Sequence, residues 1–425
     1  MAAARGQGLD ILFVHQNFPG QFLHLAPALE ERGHRVVALT DQHNERPSPV
    51  SENYRYRAPE YLVELEKCRL GKTYTQMSER GLMAARAART LRERHGFRPD
   101  VVFGHIGWGE SLYLRDIWPE ARHLIYAEYY YATQGQDTGF DAEFTAPSFD
   151  RDALTTARQA HLAHAMAQVD AALAPTFWQA GTFPPCFRGL ISVIHDGVDT
   201  ARLRPDPAAQ VTLQDGTVLR AGDEVLTYVG RNLEPYRGYH IFMRALPEIL
   251  ARRPNAQVVI IGADGVSYGS NPPEGRTWKE VFLEEVADRL DMSRVHFVGR
   301  LPYDQFVRVL QISRVHAYLT YPFVLSWSLL EAMSIGAHVV ASRTAPVEEV
   351  IAHGETGTLV DFFDVPGWAE ALSAGLADPR AHDALRAAAR EQTVARYDLR
   401  TVTLPRLIEF VEGETASDAQ GARAG

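Results

Sequence analysis

The chain has 425 residues, 46% of them apolar, with a net charge of -10 and a pI near 5.9. That is long enough for two hydrophobic cores, and the acidic balance excludes a general binder of nucleic-acid backbones. Two cysteines, Cys68 and Cys186, exclude a disulfide framework, and the lack of any apolar run of about 18 residues excludes a membrane-spanning helix.

The start, MAAARGQGLD, has no apolar signal-peptide core, so a cytoplasmic location is expected. Residues 11–15 (ILFVH) form a short apolar strand. It leads through a loop with Gly20 into a helix over 22–32 and a strand over 36–40. This order is a βαβ unit, which closes right-handed on a parallel sheet. Residues 52–66 read as irregular and Tyr-rich, 76–95 as a helix, and 100–104 (DVVFG) as a strand with His105 just past its end. The strand 123–128 (HLIYAE) ends in Glu128 and runs into Tyr129, Tyr130 and Tyr131. Polar groups at strand C-termini stand where parallel sheets build sites. The loop 135–149 is read as a cover over a pocket. On the helix 152–169, His161 and His164 lack a third ligand and read as ordinary helix residues. After strands at 171–175 and 191–195, residues 200–222 are rich in Pro, Asp and Gln and mark a domain edge.

The alternation then restarts. Strands are expected over 224–229, 257–261, 295–298 and 315–323, and from 337. Helices are expected over 237–253, 278–290 and 302–313, in a short turn from residue 326, and over 365–396 and 399–411. Two such series predict two doubly wound α/β domains facing one another. The tail 412–425 is small and polar and reads as disordered.

Two features carry chemistry. Arg231 and Arg237 flank the loop GRNLEPYRG between a strand and a helix. Guanidinium forks beside a helix N-terminus suit a phosphate or diphosphate. Glu331 stands among Leu329, Leu330, Ala332 and Met333. An unpaired buried carboxylate is costly, so it either meets an internal Arg or faces a cleft and binds hydroxyls.

These motifs resemble the retaining glycosyltransferases of family 4. VGRNLEPYRG is similar to the family's G-R-L-x-x-x-K-G loop, with Arg237 in place of Lys. VIIGADG, VHFVGRLPYDQFVRVL and SWSLLEAMSIGAHVVAS are similar to three further stretches of that half. HDGVDTARLRP and FPGQFLHLAPALEERGHRVVALT resemble its first half. The stretch TYPFVLSWSLLEAM is similar to a subset of the family in which the usual Glu-x7-Glu motif is altered: Glu331 holds the second Glu position and Phe323 replaces the first.

The resemblance implies the GT-B fold, with two Rossmann-like domains across a cleft. Residues 1–205 would bind the acceptor and 206–395 the nucleotide sugar. The helix 396–413 would pack back on the first domain, ahead of a disordered tail, 414–425. It further implies sugar transfer from a UDP- or GDP-sugar to a hydroxyl acceptor, with retention and without metal or cofactor. Arg231, Arg237, Glu128 and His105 would be catalytic. Gly20, Gly230, Gly262, Arg300, Ser326, Trp327, Ser328 and Glu331 would join the arginines on the donor, and His15, Tyr129 and Tyr130 would face the acceptor or sugar. With Phe140 and Phe149 the tyrosines suggest a stacking surface. A nucleotide-sugar 2-epimerase on the same scaffold and a non-catalytic sugar-nucleotide binder stay open, as does peripheral membrane contact.

Overall fold

The computed structural model describes residues 8–58, 60, 67 and 69–413. The expected disordered tail after residue 413, part of the 52–66 stretch and Cys68 lie outside them. Contacts divide the chain into two units. One holds Met1–Thr133, Pro147–Asp196 and Arg400–Gly425; the other holds Gln134–Ala146 and Gly197–Leu399.

The first unit is built on seven parallel strands: β1 (Asp10–Val14), β2 (Arg35–Asp41), β3 (Glu52–Tyr56), β4 (Val101–His105), β5 (Arg122–Tyr126), β6 (Ala171–Ala174) and β7 (Ile191–Val193). Their spatial order is β3-β2-β1-β4-β5-β6-β7. On β1, Ile11 and Phe13 enter one core while Leu12 and Val14 enter another. Both faces are covered, so β1 reads as an unbroken apolar run. β3 replaces part of the stretch expected to be irregular. It is an edge strand with a polar sequence, ENYRY, in which only Tyr56 is fully buried, and that polarity hid it. The helix Leu404–Glu412 packs Leu407, Phe410 and Val411 into the core that holds Ile11 and Phe13. Glu412 pairs with Arg32 at 2.8 Å and His34 at 2.9 Å.

The second unit opens with an antiparallel hairpin, β8 (Gln210–Thr212) and β9 (Val218–Arg220), inside the stretch expected to be a linker. Its sheet follows: β10 (Val225–Asn232), β11 (Gln257–Ala263), β12 (Val295–Gly299), β13 (Val315–Tyr318), β14 (His338–Ser342) and β15 (Thr358–Val360). All pair in parallel, in the order β12-β11-β10-β13-β14-β15. The two-faced burial recurs, with Leu226 and Tyr228 in one core and Val225 in another. β13 stops at Tyr318 instead of reaching residue 323. Its ladder with β14 ends there and that with β10 one residue earlier, and Pro322 cannot donate to one.

Each sheet therefore runs outward in both directions from a central pair, β1 beside β4 and β10 beside β13. At such a reversal of strand order the connecting loops diverge and leave a crevice at the strand C-termini. Among the described residues no helix is long and apolar enough to cross a membrane.

Candidate functional site

In the second unit, β10 runs through the short helix Pro235–Arg237 into the helix Tyr239–Arg252. Gly238 makes the corner at φ 65°, and a Cβ there would sit 2.3 Å from Leu319 Cβ. The corner turns Arg237 inward. Its guanidinium donates through Nη1 to Thr320 Oγ1 at 2.8 Å and to the Val324 carbonyl at 3.1 Å. It lies 5.8 Å from the Tyr268 ring centroid and 5.9 Å from that of Phe323. The residue is only 8% exposed, and among the described residues no carboxylate pairs with it. A desolvated cation with no carboxylate in direct contact is costly, so the site is poised for an anion, even though buried Glu234 stands close enough to feel its charge.

Arg231 and Arg300 are exposed, and they too have no carboxylate partner among the described residues. Glu234 is an addition that sequence reasoning missed. It is fully buried and its oxygens accept from the backbone N–H of Ser267 (3.0 Å) and Tyr268 (2.9 Å). Burial raises its pKa against those bonds and the pull of Arg237 and Arg231. It ties the loop after β11 to the arginine loop. Gly230 and Gly262 serve packing: a Cβ on Gly262 would meet Leu233 Cδ2 at 2.6 Å and the Gly230 carbonyl at 2.9 Å.

Glu331 lies in the first turn of the helix Ser328–Ile335, which follows β13. It is 9% exposed. Tyr303 Oη donates to its Oε1 at 2.7 Å, and Oε2 has no partner among the described residues. Burial raises its pKa, and the Tyr303 bond opposes that only in part. So Glu331 meets a phenol, not the internal Arg that one reading required. Tyr303 was missed because its role exists only across two helices. The expected helix start at Ser326 is corrected to Ser328. The Ser326 N–H is engaged, donating to Tyr318 Oη at 2.8 Å, and Ser328 Oγ donates to Ser326 Oγ at 3.0 Å. Trp327 is 48% exposed. Phe323 packs edge-on against Tyr236 and Tyr268, with centroids 5.5 and 4.8 Å away.

The first unit gathers a different set at the ends of β1, β4 and β5. The rings of His15 and His105 meet edge to face at 5.2 Å. Each Nδ1 accepts a backbone N–H, from Asn17 at 2.9 Å and Gly107 at 3.0 Å, so a neutral ring carries its proton on Nε2. Burial, then the neighbouring His105 and Arg46, hold the His15 pKa well below the usual value. His105 Nε2 stands 3.6 Å from Glu128 Oε2, and Gln21 Nε2 donates to Glu128 Oε1 at 3.1 Å. Gly20 (φ 50°) sits against His15, where a Cβ would lie 2.8 Å from the imidazole Nε2. Behind this group, Glu110 is fully buried and accepts from Tyr56 Oη at 2.9 Å. Its pKa is raised by burial.

The aromatic residues do not form one surface. Tyr130 is buried against Phe183, Tyr129 packs on Trp178 and Tyr131, and Phe149 is 86% exposed at a helix start. Phe140 belongs to the second unit, in a nest of Tyr321, Phe362 and Phe363. His164 Nδ1 shares a hydrogen bond with Tyr74 Oη at 3.1 Å, as an ordinary helix residue does. Among the described residues, Asp141, Glu143 and His240 alone cluster at metal-ligand range. Both Glu143 oxygens, however, are held by Arg244 at 2.6 and 2.8 Å, so the donor set is that of an ion-pair network.

Comparison with known proteins bears on both units. The family profile described as Glycosyl transferase family 4 group matches residues 32–203, and that described as Glycosyl transferases group 1 matches residues 212–392. A D-inositol 3-phosphate glycosyltransferase of Corynebacterium efficiens is 31% identical over 191 residues, 44% of this chain and 43% of that protein. A GDP-mannose-dependent alpha-(1-6)-phosphatidylinositol monomannoside mannosyltransferase of Mycolicibacterium smegmatis is 29% identical over 224 residues, 51% of this chain and 55% of that protein. The chain spans about half the length of the curated relatives it matches. Among solved structures, Anabaena HepE in complex with UDP and glucose superposes with a TM-score of 0.66 at 14% identity, covering 96% of this chain and 99% of that one. A sucrose-phosphate synthase from Thermosynechococcus elongatus gives 0.68 at 18% identity, covering 96% and 100%. These likenesses show the fold, two Rossmann-like units of GT-B type.

Proposed function

The chain belongs to the family 4 group of glycosyltransferases, and on that premise we propose that it transfers a sugar from a nucleoside-diphosphate sugar to a hydroxyl acceptor. The observation that carries this reading is Arg237, a buried guanidinium in the loop after β10 that no carboxylate contacts among the described residues. It would receive the diphosphate, with Arg231 and Arg300 as exposed cations at the C-terminal ends of β10 and β12 in the same sheet. Glu331, one oxygen fixed by Tyr303, would accept from the ribose hydroxyls through the other. The leaving diphosphate gains charge in the transition state, and each oriented donor on it contributes about 3 kcal/mol. The guanidiniums supply that charge without requiring a divalent ion.

The first-unit group is assigned to the acceptor hydroxyl or the transferred sugar. His15 and His105 offer Nε2–H donors, and Glu128 offers an acceptor. The reaction would retain anomeric configuration, the acceptor entering on the leaving-group side without a protein nucleophile. The GDP-mannose-dependent relative and the UDP-bound neighbour support a nucleotide-sugar donor.

Titrating UDP and GDP calorimetrically into the protein and into Arg231→Ala and Arg237→Ala tests the reading. One nucleotide should bind, and each variant should weaken it. Unchanged affinity in both variants would sink the diphosphate assignment. An NMR readout of product anomers then checks retention, and a 2-epimer formed from donor alone would point to the other chemistry.

A further inference from the structure

Residues 134–146 leave the run of the first unit and cluster with the second. This strap carries two deeply buried carboxylates, Asp137 at 5% and Asp141 at 3% exposure. Burying two acids in thirteen residues is costly unless each finds compensation. The partners are specific. Tyr236 Oη donates to Asp137 Oδ2 at 2.5 Å, and Tyr321 Oη donates to Asp141 Oδ2 at 2.8 Å. Fully buried His240, in the first turn of the helix Tyr239–Arg252, places Nε2 3.0 Å from Asp141 Oδ2. Burial pushes the Asp141 pKa up, but the His240 and Tyr321 contacts outweigh it and leave the carboxyl below its usual range.

Anchoring alone does not need these bonds. Phe140 already packs on Tyr321 and Phe362, Phe144 packs on His240, Trp278 and Phe282, and Arg244 clamps Glu143. What the two aspartates add is a grip on the two loops that build the Arg237 site. Tyr236 immediately precedes Arg237, and Tyr321 follows Thr320, the acceptor of Arg237 Nη1. The loops are tied to each other as well: Tyr321 N–H donates to the Tyr236 carbonyl at 3.0 Å, and the two rings stand 4.7 Å apart. We propose that Asp137 and Asp141 are positioning residues, contributed by the strap, that set the Arg237 guanidinium for its anionic ligand. The inference rests on the reading that Arg237 binds the donor diphosphate.

The test is a double-mutant cycle on the full chain, using whichever of UDP and GDP binds more tightly. Asp141→Asn should weaken that nucleotide about tenfold, or about 1.4 kcal/mol. The same change in an Arg237→Ala background should cost nothing further, because the residue through which it acts is gone. A merely structural role would lower affinity equally in both backgrounds. Tyr321→Phe and Tyr236→Phe, each removing one oxygen, run the same cycle and keep it interpretable where Asp141→Asn folds poorly. Additive losses, or unchanged affinity in Asp141→Asn and in both tyrosine variants, would overturn the strap's role while the diphosphate reading stands. Unchanged affinity in Arg237→Ala would instead overturn the reading beneath it.

Discussion

The two sheets share one strand order over six positions, with β7 added in the first, and carry opposite chemistry at the same topological point. Beside β1 and β4 stand imidazoles and carboxyls: His15, His105, Glu128 and, behind them, Glu110. Beside β10 and β13 stand a guanidinium that no carboxylate contacts among the described residues, a ring of aromatics and two buried acids, Glu234 and Glu331. The backbone that makes each crevice is the same, so the loops alone decide what it binds. A crevice of imidazoles and a carboxylate suits hydroxyls, whereas a desolvated cation suits a diphosphate.

The contrast can be broken or sharpened by substitution. The largest effect is expected at Glu128. Glu128→Ala should lower turnover about 100-fold while nucleotide affinity stays at the wild-type value, as steady-state rates and calorimetry would show. Equal losses in both would erase the division of labour. Arg237→Ala should weaken nucleoside-diphosphate binding by ten- to a hundredfold, the loss of about 1.5–3 kcal/mol for a hydrogen bond to a charged group. Glu331→Gln should weaken it about tenfold while leaving inorganic pyrophosphate unaffected.

Two of the buried acids, one in each unit, separate the regions further. Glu331 and Glu110 both have pKa values raised by burial. For such a group the folded state binds more protons than the unfolded one, so stability falls as pH rises above the unfolded carboxyl value. Replacing either by Gln should therefore raise the Tm at pH 7–8 relative to wild type, and by less at pH 4–5. Only the Glu331 change should also reach nucleotide affinity, because Glu110 has no exposed surface. A Tm gain that grows toward low pH would reverse the assigned direction of both shifts.

Much of this was legible in the chain, for definite reasons. Strands buried on both faces are unbroken apolar runs, so β1, β10 and β11 announce themselves; Glu331 stands out against apolar neighbours, and Arg237 by its place in the loop between a strand and a helix. β3 did not, because an edge strand tolerates polar residues. The hairpin β8–β9 sat hidden in a Pro- and Asp-rich stretch. Glu234, Tyr303 and Tyr321 were invisible as site residues. Their partners, the Ser267 amide, Glu331 and Asp141, lie 33, 28 and 180 positions away. The engagement of the Ser326 amide by Tyr318 Oη was equally invisible, a bond that no spacing announces.

By itself the sequence determined two parallel α/β series and the loops at their strand ends, since periodicity and turn chemistry are local properties of the chain. Tertiary structure alone decided that the strand order reverses at β1/β4 and β10/β13, that Arg237 is buried with no carboxylate in direct contact among the described residues, and that residues 134–146 cluster with the second unit. Those facts depend on which distant segments meet, and on how much water each meeting removes.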